Sequence, residues 1–132
     1  MTTNYIDTFI TASPDCPATR GEVPAKPGSV AALQLGLLQA RPYGYTSDEL
    51  LFEVHACRNG IEAGDREAAR AAFFARPQAC LRASPLVKQF GWGLHHDAQG
   101  RVAAYGVETD AYKAFATRPD LKQVAGMRSR RA

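Results

Sequence analysis

The chain lacks most of the features that announce a known chemistry. Its 132 residues include only three cysteines, Cys16, Cys57 and Cys80, at wide spacing and with no Cys-x-x-Cys pair. An odd count in that arrangement excludes a disulfide framework and removes the usual anchor of a zinc or dithiol motif. Reduced, mostly buried thiols and no metal site are therefore expected. Long apolar runs are missing too: the most apolar segment, "VAALQLGLLQA" at 30–40, is too short to span a bilayer and carries Gln34 and Gln39. The N-terminal "MTTNYIDTFITASPD" has no basic residue ahead of its apolar part. No signal peptide is expected, and the expected address is the cytoplasm. The one tryptophan sits in "GWG", a lone Gly-x-Gly that does not open a helix, so no dinucleotide fingerprint and no cofactor are expected.

What is present is the material of one globular domain. Hydrophobic residues make up 45% and charged residues 22%, a balance that excludes wholesale disorder, and the length suits a single domain over 1–132. The net charge of +3 is unevenly spread. Residues 1–75 carry six basic and nine acidic side chains, whereas residues 76–132 carry ten and four. The second half therefore holds +6 against −3 and draws anions toward it over about 8 Å at physiological salt.

Along the chain, residues 4–12 are rich in β-branched and aromatic types and predict a strand. Pro14, Pro17, Pro24 and Pro27 make the next stretch a loop. Ser29 is placed to cap a helix carrying Val30, Leu33, Leu37 and Leu38, which Pro42 ends. "TSDE" at 46–49 has capping-box form and opens a helix with Leu50, Leu51, Val54 and Cys57 on one stripe, stopped by Gly60. Alternation of Leu50, Phe52, Val54 and Ala56 makes a strand over 47–58 the rival reading. "DREAARAAFFAR" at 65–76 predicts a third helix capped by Asp65, with Ala69, Ala72, Phe73 and Arg76 along one side.

Between "QFGWGLHH" and "RVAAYGVE" lies "DAQG", the chemistry of a type I hairpin turn with glycine at its left-handed position. Pairing His96 with Arg101 gathers Phe90, Trp92 and Leu94 on one face with Ala103, Tyr105 and Val107. Gly91, Gly93 and His95 then share a nearly bare face with Val102, Ala104 and Gly106. Such segregation favours that register. A bare face admits a helix or a flat ligand, and packing by a helix is the preferred reading. The expected architecture is α+β: a small antiparallel sheet centred on the 90–108 hairpin, joined by strand 4–12 and packed against three or four helices.

Candidate site residues follow from chemistry. Arg82 and Ser84 in "CLRASPL", if extended, lie on alternate positions and suit a phosphate or carboxylate. His95 changes charge near neutral pH and serves as an acid, a base or an anion donor; the plainer reading of "HH" is one histidine bonded inside and one solvated. Three functions compete. The leading one is a binding or interaction domain that holds a small anionic ligand or partner through Arg82, Ser84 and His95. An enzyme using His95 as acid or base, with Cys80 or Ser84 as nucleophile, is the alternative. A nucleic-acid contact through the basic half and "RSRR" at 128–131 rests on the least, and nucleic acid is not an expected partner.

Taken in order, "TTNYIDTFI", "DCP", "VAALQ", "YTSDELLFEVHACRNGI", "CLRASPL", "GWGLHHDAQGRVAAYGVE" and "LKQVAGMRSRRA" are a specific wording. The chain resembles, almost end to end, a family of small microbial proteins catalogued as domain of unknown function 6157. That resemblance implies one complete domain and carries no reaction, ligand or catalytic residue with it.

Overall fold

Ser29 and Thr46 start two helices as their side chains predict. In the computed structural model, which describes residues 2–129, Ser29 accepts from the amide of Ala32 and opens α1, Val30–Ala40. Thr46 and Glu49 complete a reciprocal capping box at the head of α2, Ser47–Arg58. Helix, not strand, therefore occupies 47–58. The misleading alternation has a physical cause: α2 is covered on two sides. Leu50 is part of the main core, while Phe52 meets Phe73 from the next helix at 6.0 Å. Two buried stripes on one helix read as alternation.

That next helix, α3, spans Arg66–Phe74, after a 3-10 turn over Ala63–Asp65. Asp65 does not cap it: its backbone is already helical and its side chain makes no capping bond, because the 3-10 turn feeds straight into the helix. A second 3-10 turn, Leu81–Ala83, leads to α4, Pro85–Lys88, a single turn with Ser84 as N-cap and Pro85 at its first position. So "CLRASPL" is extended only at Cys80 and Ser84, with the 3-10 turn between them. The last helix, α5, Asp110–Thr117, is capped by Thr109, whose side chain accepts from the amide of Tyr112. Among the described residues there are five α-helices rather than three or four.

Four strands form one sheet in the order β3-β2-β1-β4, with β1 at Thr8–Thr11, β2 at Trp92–His96, β3 at Val102–Gly106 and β4 at Lys122–Ala125. The fold is α+β as expected, and the N-terminal strand does lie beside the hairpin. The sheet is mixed rather than antiparallel, since β4 runs parallel to β1. Strand β1 starts only at Thr8 because Asp7 has a left-handed backbone, φ 46°, which no strand residue can adopt.

The hairpin register is one residue off the expected one. His96 pairs with Val102, not Arg101. The turn is of the expected type, with Gly100 at φ 77° donating to the carbonyl of Asp97. Gly100 and Arg101 together oppose Asp97, a bulge that consumes one extra residue. The resulting faces mix bulky and small residues. Trp92, Leu94 and His96 point to one side with Val102, Ala104 and Gly106; Gly93 and His95 point to the other with Ala103 and Tyr105.

Helices α1, α2 and α4 bury the first face. Ile10, Leu35, Leu38, Leu50, Leu81, Leu86, Leu94 and Val102 form the core there, each at most 2% exposed. Helix α5 packs on the second face, against β1 and β3. It resolves the question of the bare glycine: a Cβ on Gly93 would stand 2.5 Å from Phe9 Cζ and 2.6 Å from Tyr112 Cε2. Packing fills that face. The proline loop is pinned to the hairpin by Trp92, whose indole donates to the carbonyl of Glu22 at 2.8 Å.

The three thiols are free, but none is fully buried: Cys16 and Cys80 are half-buried, and Cys57, in the last turn of α2, is exposed. Among the described residues no helix is long and apolar enough to cross a membrane.

Candidate functional site

His95 is the centre of a ring cluster beneath α5. Phe115 stacks on its imidazole with centroids 4.2 Å apart and planes 22° apart. The hydroxyl of Tyr43, from the loop between α1 and α2, lies 2.7 Å from Nδ1 and 2.8 Å from the hydroxyl of Tyr105. Burial, then the positive field of Arg118, holds the pKa of His95 below its ordinary value despite Asp97, Asp7 and Asp120. Burial and the bond to Tyr105 push the Tyr43 phenol well above its usual range, so it stays a neutral hydroxyl. The two non-glycine residues with left-handed backbones among those described, Tyr43 at φ 58° and Asp7 at φ 46°, both border this cluster.

Across the sheet stands a different set. Neighbours on a strand point opposite ways, so His96 enters the core that His95 avoids. It is wholly buried, where one of the pair was expected in solvent. Its Nδ1 lies 3.2 Å from the Leu94 carbonyl, and its Nε2 is the one buried side-chain nitrogen or oxygen without a partner among the described residues. Burial lowers its pKa to about 4, so the ring is neutral. Tyr5 meets it edge-on at 5.3 Å and donates to the Cys80 sulfur at 3.2 Å; burial and that bond push the Tyr5 phenol up to about 12.

The predicted residues therefore do not converge. The Ser84 hydroxyl donates to Gln34 Oε1 at 2.5 Å and accepts from the amide of Leu86 at 3.1 Å, on the core side of the sheet. Arg82 donates through Nε to the carbonyl of Ala125 at 2.8 Å, on the edge strand β4. His95 lies on the α5 side. The same separation divides it from both candidate nucleophiles, Cys80 and Ser84. Of "RSRR", residues 130 and 131 lie outside the described residues.

The arginines that do converge lie in the first half of the chain. A cleft of about 480 Å³ opens between the 41–45 loop, α2 and α3. Arg41, Arg66 and Arg70 line it with Glu49, Glu53 and Glu67, over Tyr45 and Phe52. Arg66 and Arg70 stand one helical turn apart on α3, so both guanidiniums reach the same wall. Arg66 is bonded to Glu53. Glu49 accepts from the backbone of Thr46 as part of the capping box. Arg41 lies over the ring of Tyr45 at 5.0 Å, and Arg70 over Phe74 at 4.9 Å and Phe52 at 5.9 Å. Neither is within ion-pair reach of a carboxylate among the described residues. The field of Arg70 extends to Asp48: burial raises that carboxyl, but bonds from Thr3 and Thr2, with Arg70, bring it below its ordinary value.

Sequence reasoning passed over Arg41, Arg66, Arg70, Tyr43 and Tyr105. The i, i+4 arginine pair in "REAAR" was a usable signal. The approach of "RPYGY" to it was not, because it depends on how α1 and α2 pack.

Searches of curated proteins and of solved structures return no match. The family model of DUF6157, a family of unknown function, matches residues 1–132. The chain belongs to that family.

Proposed function

We propose that this protein is a binding domain for a small anionic ligand carrying phosphate or carboxylate groups, held in the cleft between the 41–45 loop and the α2–α3 pair. One observation carries the reading: three arginines face a single cleft, and two of them, Arg41 and Arg70, have no carboxylate within ion-pair reach among the described residues. Guanidinium forks match the oxygens of such ligands, and a cleft of this volume suits a small molecule. Glu53 is offset by its ion pair with Arg66, whereas Glu49, bonded to the Thr46 amide, and Glu67 keep their charge in the lining.

The test is calorimetric titration with inorganic phosphate, pyrophosphate and citrate against the wild-type protein, Arg41→Ala and Arg70→Ala. Each substitution weakens binding about tenfold or more, as loss of a charge-assisted bond implies. Equal affinity in all three proteins overturns the site.

A second reading is favoured by the backbone around His95. Left-handed non-glycine residues are costly and gather at functional sites; here two border one imidazole, whose Nδ1 is fixed by Tyr43. His95 would then act as an acid or base on a substrate at Nε2, without Cys80 or Ser84. Hydrolysis of p-nitrophenyl acetate that disappears in His95→Gln and weakens in Tyr43→Phe supports it; identical rates in all three proteins remove it.

A further inference from the structure

The outer edge of the sheet on the β4 side combines three features that the anion cleft does not use. The first is backbone. Strand β4 pairs on one side only, and the amides of Lys122 and Gly126 donate to the carbonyls of Asp7 and Thr11 at 2.9 Å. In a parallel ladder the alternate residues then turn their amides and carbonyls outward. These are Gln123 and Ala125. The carbonyl of Ala125 accepts from Arg82, and the next outward amide, that of Met127, donates to the Arg82 carbonyl at 2.8 Å, so the Leu81–Ala83 turn closes that end. The amide and carbonyl of Gln123 and the amide of Ala125 face away from the sheet. Lys122, Gln123 and Ala125 are exposed.

The second feature is apolar. Three large hydrophobic side chains are prominently exposed among the described residues: Ile6, Val23 and Met127. Two of them frame this edge. Ile6 precedes Asp7, the partner of Lys122, and Met127 follows Gly126. A protected edge needs only its lysine and its shortness; exposed hydrophobic side chains at both ends serve no such purpose.

The third is charge. Lys122 lies on the edge strand and Arg82 against it, while Arg118 precedes the strand and Arg128 follows it. Asp120 is taken by Arg118, and Asp15 accepts from the Ser13 hydroxyl and the Ser129 amide. Asp7 sits at the Arg118 end, within its field. Between these ends the strand carries Lys122 and holds Arg82 against its carbonyl, both positive.

We propose that β4 is a docking edge for an extended acidic segment of a partner protein, which adds as a fifth strand beside Gln123 and Ala125. Its carboxylates would meet Lys122, Arg128 and Arg82, and its apolar side chains would cover Ile6 and Met127. Backbone bonds supply affinity in this mode of recognition and side chains supply selection. A second copy of this chain fits less well, because it brings one basic edge against another.

The experiment uses a short fluorescein-labelled peptide alternating valine and aspartate, with the full chain, read by anisotropy and by amide hydrogen exchange. The peptide binds, the Gln123 and Ala125 amides gain protection, and Lys122→Glu weakens binding about fivefold. Protection is read on the unaltered protein, so the test survives a variant that folds poorly. Three results overturn the proposal: no binding, equal binding by a peptide with proline at alternate positions, or tighter binding of a short DNA duplex. The first removes the edge as a docking site. The second reduces it to charge alone, and the third assigns it to nucleic acid.

Discussion

The hydroxyl of Tyr43 lies 2.7 Å from Nδ1 of His95, and it is delivered there by a backbone in the left-handed region. A tyrosine pays a conformational cost for that φ, so the loop must be held by what the residue gains. The gains are the two hydroxyl bonds and the amide bond from Tyr43 to the carbonyl of Val102 at 2.9 Å. Because Arg41, Gly44 and Tyr45 of the same loop line the arginine cleft, this anchor also sets the shape of the proposed ligand site.

Replacing Tyr43 with phenylalanine keeps the ring and deletes both hydroxyl bonds. Nδ1 of a buried histidine then loses its partner. Stability to urea falls by about 1–3 kcal/mol with an unchanged m-value. A loss of only a few tenths contradicts the anchoring role.

His96 makes stability depend on acidity. Its pKa is lowered from an ordinary 6.5 to about 4 in the folded protein. Between those values the unfolded chain binds a proton that the folded one refuses. Stability from this source is full above pH 6.5, declines as the pH falls, and declines no further below about 4. The whole effect is roughly 3 kcal/mol, and burial of His95 acts in the same direction. Urea denaturation across that window shows the stability of wild type falling relative to His96→Leu as the pH is lowered. A constant difference contradicts the buried neutral ring.

The elements that could be read ahead of the structure are those whose signals are local. Ser29, Thr46 and Glu49 act within four residues of themselves, and their helices begin where they should. The hairpin turn was equally local, but its register was not. Gly100 adds a bulge, and the segregation of faces that favoured the other register assumed a bulky side and an empty one. The protein instead interleaves them, setting Gly93 under Tyr112 and Phe9. Helix α5 carries local signals that sequence reasoning left unused: Thr109 caps it, and Ala111, Tyr112, Phe115 and Ala116 make a half-buried apolar stripe. Strand β4 is short, mostly exposed and polar, and only its pairing with β1 defines it. The site residues Arg82, Ser84 and His95 were chosen by type; the sheet that parts them is a tertiary fact.

Two glycines give opposite predictions. Gly93→Ala forces a methyl group into Phe9 and Tyr112 and costs about 1–3 kcal/mol. Gly36→Ala, on an exposed turn of α1 with nothing within 4 Å of the new methyl group, raises stability by about 0.5–1 kcal/mol. Thermal unfolding of the two variants checks both signs. A neutral Gly93→Ala contradicts the packing of α5 on β2.

Ser84→Ala removes the cap of α4 and the buried partner of Gln34 together. Stability falls by roughly 2 kcal/mol, while affinity for phosphate or pyrophosphate is unchanged. Calorimetry on the folded variant separates the two effects. A loss of anion affinity with stability intact restores Ser84 as a ligand contact.

The most direct measurement of the central claim is an NMR titration of the full chain with pyrophosphate, following backbone amides and arginine Nε–Hε signals. Binding in the proposed cleft shifts Arg41, Tyr45, Arg66 and Arg70 together, with one dissociation constant. Shifts that centre instead on Arg82 and the β4 edge, or no saturable shift at all, contradict it.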